Sequence, residues 1–523
     1  MVNTDSKIAA PQAPSAPEAS SHGEALKSTS VIGGSALIMI LVRMVRTKVL
    51  TLILGPVGVG FEAFYNNILD IARMVASLGT SSSGVRQIAA AAATRDEEAV
   101  AVTVFTLRRI TWVLGLVGAV VLFLLRKPIA VLTFGDAEHA MDVGILSLAL
   151  VLMALNGGQG ALLQGMRRIG DLARMGVIGI VLGTVVSIPI VWKFGVPGIV
   201  WYIVIGAANM VLMSWYYARR IRVQRVSVPF RRIVTEGWSM LKLGLLLTWS
   251  ALLSLGTMYL LQVLVRQQYD VAGAGQFSAA NRLSMVYVGF ILQAMQTDFY
   301  PRLTGVATDN ARSNRMVNEQ VEVSLLLALP GILVTLAFAP WIIWLAYSSE
   351  FEMATEILCW QMAGILLRVI SSPLGMFLIA RGANRAFFWT ECASAAAYLG
   401  FSWIGLKYFQ LPGVGMAFTA AYLFYWLMIL VVTGKLSGFR WSGVNVRFSL
   451  LGAVAVALVM LAHFYLSPLW STVVGGVLAA LVGLYCLKML VGLVGAEKIR
   501  NRLKKMGLPF PWPKALDQPS KPQ

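Results

Sequence analysis

The chain has 523 residues, of which 58% are hydrophobic and only 13% charged, with a formal net charge of +19. A soluble domain carries about 25% charged residues, so half that fraction over this length excludes a soluble globular protein and requires an apolar solvent. The excess of 43 Lys and Arg over 24 Asp and Glu would suit nucleic acid, but most of the cations sit in loops between apolar runs, which argues for an orientation signal instead.

Residues 1–28 are rich in Ala, Pro and Ser and hold no apolar run; they read as a disordered tail rather than a signal peptide. Continuous apolar runs then follow, centred near Met39, Asp70, Gly118, Leu152, Gly183, Ile205, Leu252, Val288, Val334, Leu367, Ala397, Phe424, Ala457 and Ala480. Crossing roughly 30 Å of hydrocarbon at 1.5 Å per residue takes about 20 residues, so these runs predict about fourteen spans. Backbone groups in hydrocarbon must be satisfied internally, and runs that do not alternate in polarity are helices rather than barrel strands. The predicted fold is therefore an all-α polytopic membrane protein.

Lys and Arg collect in every second loop, as at Arg167/Arg168, Arg219/Arg220/Arg222, Arg302/Arg312/Arg315 and Arg381/Arg385. The alternate loops hold few cations, and the positive-inside rule then places both termini in the cytoplasm. Gly58-x-Gly60 with Asn66 matches Gly273-x-Gly275 with Asn281, Pro197-Gly198 matches Pro412-Gly413, and Gly165 and Arg168 match Gly382 and Arg385. These offsets lie near 215 residues, so two six-helix lobes in parallel repeat are expected. The predicted organisation is a tail (1–28), a first lobe (29–220), a basic cytoplasmic linker (221–239), a second lobe (240–434), an appended helix pair (435–495) and a basic cytoplasmic tail (496–523).

Ionisable residues inside spans are costly and call for a functional reading. Arg43 and Arg46 share a face of the first span. Glu62, Asn66, Asp70 and Arg73 form one polar stripe on the second. Arg282, Arg368 and Glu391 add charge from the second half. Arginine suits a phosphate because its planar fork donates two parallel hydrogen bonds and stays charged. Arg43, Arg46, Arg73, Arg282 and Arg368 are the candidate anion-binding residues, and Asn66, Asp70 and Glu391 the candidate polar or coupling residues. Lys48 and Glu62, near the far end of their spans, read as snorkelling or structural.

Asp136-x-Glu138 is read as a solvated loop. No phosphate-binding loop motif is present, and the three cysteines and three histidines are scattered, so no cofactor or metal is expected. Loops opposite the basic side are too short for a catalytic domain, so an enzyme is not expected.

The stretch Leu54-Gly55-Pro56-Val57-Gly58-Val59-Gly60-Phe61, continuing through Ser77-Leu78-Gly79 to Gly84-Val85-Arg86, resembles Wzx-type flippases. So do Tyr300-Pro301-Arg302-Leu303-Thr304, Trp360-Gln361-Met362-Ala363-Gly364 through Arg368, Ile379-Ala380 and Pro412-Gly413. The resemblance runs from about Val31 to Trp441 and is nearest to the enterobacterial O-antigen and common-antigen translocases. These belong to the multidrug/oligosaccharidyl-lipid/polysaccharide exporter superfamily, with the multidrug (MATE) antiporters. The resemblance implies a MATE-like, two-lobed inner-membrane transporter with a cationic cavity. It would move an undecaprenyl-diphosphate-linked oligosaccharide and work beside other polysaccharide-assembly proteins. Arg46 and Arg73 match arginines of the related lipid II flippase, while Thr47 stands where that protein has a carboxylate, which favours another polyprenyl-linked glycan. The alternatives are a multidrug or cation antiporter and a membrane polysaccharide polymerase or glycosyltransferase. The antiporter would need carboxylates in its cavity where this chain has arginines.

Overall fold

The computed structural model describes residues 18–494 except 95, 225, 227 and 228; it does not describe the side chains of 18–32, 230–237, 239–248, 287 and 290. The helices, in chain order, are α1 (Glu18–Ser77), α2 (Thr80–Ala93), α3 (Glu97–Leu124), α4 (Arg126–Phe134), α5 (Ala140–Gly165), α6 (Ile169–Phe194), α7 (Gly198–Ala218), α8 (Phe230–Gln268), α9 (Val271–Ala294), α10 (Tyr300–Val306), α11 (Asn310–Ala337), α12 (Ala339–Ala346), α13 (Glu352–Ala380), α14 (Asn384–Phe409), α15 (Gly413–Ser437), α16 (Gly443–Tyr465) and α17 (Pro468–Val494). No strand occurs among the described residues. Ten described helices are long and apolar enough to cross a bilayer: α3, α5, α6, α7, the later part of α8, α11, α13, α15, α16 and α17. The two arms of α1, with α9 and α14, are more polar and carry the charged residues singled out above, except Arg368, which lies on α13.

α1 is two helices joined at a kink. Gly55 takes φ 61° and ψ −164°, a conformation that only glycine reaches without strain. Pro56 then opens the second arm, where its missing N–H costs nothing and its ring fixes a helical φ. α1 begins at Glu18, inside the stretch expected to be a disordered tail. Residues 18–30 hold Ala, Glu, Leu and Lys, which are good helix formers. Residues 1–17 and the basic tail 496–523 lie outside the described residues. α8 likewise begins inside the expected linker, at Phe230.

The second half repeats the first element by element. α3 and α11 open on aspartate N-caps: Asp96 accepts from Ala99 N–H at 2.9 Å, and Asp309 from Arg312 N–H at 3.1 Å. Pro197 and Pro412, 215 residues apart, precede α7 and α15 with nearly equal dihedrals, −57°/−25° and −58°/−25°. Gly195 and Gln410 are both left-handed, at φ 63° and 56°, and so are Arg167 and Gly382, at φ 55° and 73°. At each of these pairs one half supplies the glycine that a positive φ favours. The backbone therefore aligns Arg167 with Gly382 and Arg168 with Ala383. That replaces the expected alignment of Gly165 and Arg168 with Gly382 and Arg385, which was two residues out of register.

α16 and α17 pack chiefly on the second half, against α11 and α13. Gly452 lies against Leu329 and Gly475 against Ala337. Asn445 donates to the Asn318 carbonyl at 2.9 Å, and Trp341 Nε1 to Thr472 Oγ1 at 3.1 Å.

Candidate substrate cavity

The two halves meet most closely where α1 crosses α9. A Cβ on Gly60 would stand 2.1 Å from the Val271 carbonyl oxygen, and one on Gly275 would stand 2.0 Å from that of Pro56. No side chain fits there. The repeated Gly-x-Gly pairs are thus the mutual contact between lobes, at the end away from the arginine-rich loops. Further clasps close the same end. Lys48 Nζ donates to the Trp344 carbonyl at 2.5 Å and to that of Tyr347. Within the second half, at the same end, Gln276 Nε2 donates to the Glu350 carbonyl at 2.6 Å and its Oε1 accepts from Ala354 N–H at 3.0 Å, which ties the start of α9 to that of α13. Lys48, read as snorkelling or structural, is held by the chain itself.

Beneath this closure lies a cavity of about 870 Å3, walled by α1, α5, α6, α7, α8 and α9. Arg43, Arg46, Asn66, Asp70, Arg73 and Arg282 all line it, as the polar stripes in the first two spans and α9 led one to expect. Thr47, Glu62, Asn156 and Tyr202 line it as well.

The cavity's charges are unequally paired. Arg282 Nη1 reaches Glu62 Oε2 at 3.1 Å, joining second half to first. Arg73 Nη2 reaches Asp70 Oδ1 at 3.2 Å, both well exposed. Arg43 and Arg46 make no close ion pair among the described residues; Arg46 feels Glu62 only through space, and its Nε–H is buried without any acceptor. Four arginines against two carboxylates leave an excess of two positive charges. Asn156 Oδ1 is also buried without a partner, while the Tyr202 hydroxyl lies against the Glu62 carboxylate. Buried donors without acceptors are costly, and a phosphate group entering the cavity would satisfy the arginines. In such a low-dielectric, concave site the attraction is far stronger than at an open surface.

A neutral chain of hydrogen bonds runs across the cavity roof between the halves. Asn67 Nδ2 donates to Gln262 Oε1 at 2.6 Å, Gln262 Nε2 to Ser278 Oγ at 2.9 Å, and Ser278 Oγ to the Ala274 carbonyl at 2.7 Å. The sequence reading missed Asn67, Gln262 and Ser278, because single uncharged polar residues within apolar runs carry no distinctive spacing.

Arg368 and Glu391 lie elsewhere. They share a cluster inside the second half, on α13, α14 and α15. The Arg368 guanidinium sits 5.5 Å over the Tyr422 ring, and Tyr425 OH donates to Glu391 Oε1 at 3.3 Å. Neither lines the central cavity. Their hydropathy signature matches that of Arg282, but the second half keeps them within its own bundle.

A family model described as "Polysaccharide biosynthesis protein" matches residues 49–356, which include both α1–α9 crossing motifs and most of the cavity. The chain is 22% identical over 417 residues to the Lipid III flippase of Escherichia coli (strain K12), covering 76% of this chain and 95% of that one, and equally to that of Shigella flexneri. Among solved structures it resembles the lipid II flippase MurJ in an inward closed conformation, with a TM-score of 0.63 at 13% identity, covering 89% and 99% of the two chains. It also resembles an inward-facing multidrug resistance MATE family transporter of the MOP superfamily, with a TM-score of 0.59 at 18% identity, covering 76% and 96%. Residues 18–437 make up about 80% of the chain, so the 89% match extends into α16 and α17. These likenesses establish the fold that the lipid II flippase and the MATE family transporter share, and the family match makes the chain a member of the polysaccharide biosynthesis protein family.

Proposed function

We propose that the protein is a flippase that carries an undecaprenyl-diphosphate-linked oligosaccharide from the cytoplasmic to the periplasmic leaflet of the bacterial inner membrane. The glycan would be a repeat unit for O-antigen or another surface polysaccharide. The observation that carries this reading is the cavity's excess of two positive charges, centred on the unpaired Arg43 and Arg46. A diphosphate of about two negative charges matches that excess, and bidentate arginine contacts suit its oxygens. The flippase names of the two curated relatives support the same reading.

With both termini cytoplasmic, the Gly60–Gly275 crossing closes the periplasmic end, and the cavity lies toward the cytoplasmic side, ready to load. The polyprenyl tail stays in the bilayer while the headgroup enters between the halves. Arg43, Arg46 and Arg73 take the diphosphate and Arg282 joins from the second half once substrate competes with Glu62. Asn66 and Asp70 supply polar contacts to the headgroup. Rocking of one half against the other then opens the periplasmic end, as in other repeat-built transporters. Arg368 and Glu391 act within the second half, away from the headgroup. A cation or drug antiporter would place unpaired carboxylates where this cavity places unpaired arginines.

The test is deletion of the gene in its host, rescued by wild type or by Arg46→Ala. Wild type alone should restore surface polysaccharide, and the lipid-linked intermediate should accumulate in the cytoplasmic leaflet with Arg46→Ala. Unchanged surface glycan in the deletion strain, with increased drug sensitivity, would replace the flippase reading with the antiporter.

A further inference from the structure

A second pocket, of about 350 Å3, lies between α3, α5 and α7 and shares no lining residue with the central cavity. Its walls include Arg108, Thr111, Trp112, Gln159, Trp215 and Arg219, and no acidic residue. α3 and α7 run in opposite directions, and each carries the same pair one turn apart: Arg108 with Trp112, and Trp215 with Arg219. Because the helices are antiparallel, both arginines lie toward the arginine-rich loops and both tryptophans one turn deeper. Arg108 precedes Leu124, the far end of α3, by sixteen residues, about 24 Å along the helix. In roughly 30 Å of hydrocarbon this puts the arginines at headgroup depth and the tryptophans at the upper acyl chains.

Each group is free to receive a ligand. The Arg108 guanidinium makes no ion pair or hydrogen bond among the described residues; only its backbone carbonyl accepts, from Thr111 Oγ1. Arg219 stacks on Trp215 at 4.7 Å and on Tyr216 at 5.0 Å, contacts that orient the guanidinium but leave its charge unneutralised. Gln159 accepts from Ser214 Oγ through its carbonyl, so its NH2 group remains a donor in the wall. Trp112 and Trp215 are 49% and 52% exposed. Gln224 Nε2 donates to Glu97 Oε2 at 2.7 Å, which fixes the chain after α7 across the start of α3 and shapes the pocket's cytoplasmic rim.

We propose that this pocket binds the phosphate headgroup of a membrane lipid in the leaflet at the arginine-rich end. Arg108 and Arg219 hold the phosphate, and Trp112 and Trp215 flank the glycerol and first acyl carbons. Basic pockets between spanning helices at this depth are suited to anionic lipid headgroups. Two sources share this chemistry: a resident phospholipid such as phosphatidylglycerol, and a polyprenyl diphosphate. The site stands whether or not the central cavity carries a glycan.

The test is native mass spectrometry of the full chain, titrated with phosphatidylglycerol or with undecaprenyl diphosphate. The variants are Arg108→Ala/Arg219→Ala and a control, Arg109→Ala/Arg220→Ala, that removes the same charge outside the pocket. The pocket variant should lose affinity by about thirtyfold, from two arginines near the surface, while the control stays near wild type. Loss for phosphatidylglycerol identifies a phospholipid site; loss for undecaprenyl diphosphate alone identifies a docking site for the polyprenyl lipid. Equal loss in both variants, or none, overturns the pocket. Arg108→Lys/Arg219→Lys keeps the test decisive if the alanine pair is unstable. It retains charge but loses the planar fork and should weaken binding severalfold.

Discussion

Arg282 Nη1 lies 3.1 Å from Glu62 Oε2, and the two side chains belong to opposite halves of the molecule. Both residues line the cavity, so in the proposed mechanism the pair links substrate arrival to the contact between lobes. An anion that draws Arg282 away from Glu62 removes a strut that holds the halves together. Removing one partner leaves the other charged and poorly solvated, which costs more than removing both. Glu62→Gln and Arg282→Gln should each lower the melting temperature in detergent, with the double variant less affected than the sum. The expected coupling is on the order of 1–3 kcal/mol. Strict additivity would show that the pair does no more than its separate parts.

The glycine crossing makes a second prediction. Gly60→Ala forces a Cβ to 2.1 Å from the Val271 carbonyl, and Gly275→Ala to 2.0 Å from that of Pro56. Both carbonyls belong to backbone and cannot swing aside, so α1 and α9 must separate. Overpacking of this kind costs typically about 1–3 kcal/mol, and the cost falls only on the state closed at this end. Each substitution should therefore shift the population toward opening there. A cysteine at Tyr347, in a chain freed of its three native cysteines, should react faster with a membrane-impermeant thiol reagent. An unchanged rate would mean that the crossing does not control access.

Lys48 offers a milder version of the same experiment. Its ammonium bridges two carbonyls, those of Trp344 and Tyr347, between the first arm of α1 and α12. Lys48→Met keeps the stem and removes the donors. Thiol labelling at the closed end should rise, but less than with Gly60→Ala, because hydrogen bonds are lost without a new clash. A slower rate than wild type would exclude a clasp.

The helices, the repeat and the cavity wall were legible because each leaves a mark in sequence. Spans show as apolar runs, the repeat as glycine and proline spacing, and Arg43, Arg46 and Arg73 as charge where charge is expensive. What stayed hidden depends on packing between segments far apart in the chain. Arg282 and Arg368 look alike in their spans, yet only Arg282 reaches the cavity, because α9 lies at the lobe interface and α13 sits within the second half. Glu62 looked peripheral from its place in the span, and its partner is 220 residues away. Arg167 could not be matched with Gly382 by residue type. Only the shared left-handed backbone relates them.

The separation of Arg46 from Arg368 is itself testable. Charge-assisted hydrogen bonds contribute about 1.5–3 kcal/mol, so Arg46→Ala should weaken binding of undecaprenyl diphosphate by roughly tenfold to a hundredfold. Arg43→Ala should act similarly and Arg46→Lys more weakly, since the charge survives and the fork does not. Arg368→Ala should leave that affinity within about twofold, even if transport slows, because its guanidinium contacts Tyr422 and Met285 rather than the cavity. Calorimetry or native mass spectrometry in a defined detergent reads these differences. Equal losses at Arg46 and Arg368 would place the headgroup in the second half instead.

The charge excess has a further consequence for energetics. If Arg43, Arg46 and Arg282 stay near the membrane midplane while the lobes rock, the field acts on the substrate and not on its neutralising cations. Moving about two negative charges outward across an inside-negative potential of 100 mV then supplies roughly 4–5 kcal/mol. In liposomes with one protein orientation, a potassium diffusion potential negative on the loading side should speed flipping, and the reversed potential should slow it. Asp70→Asn should preserve that dependence, since Asp70 pairs with the exposed Arg73 and not with Arg43 or Arg46. A rate indifferent to potential would mean that the arginines travel with the diphosphate. A dependence abolished by Asp70→Asn would instead assign the driving force to an ion taken up at that carboxylate.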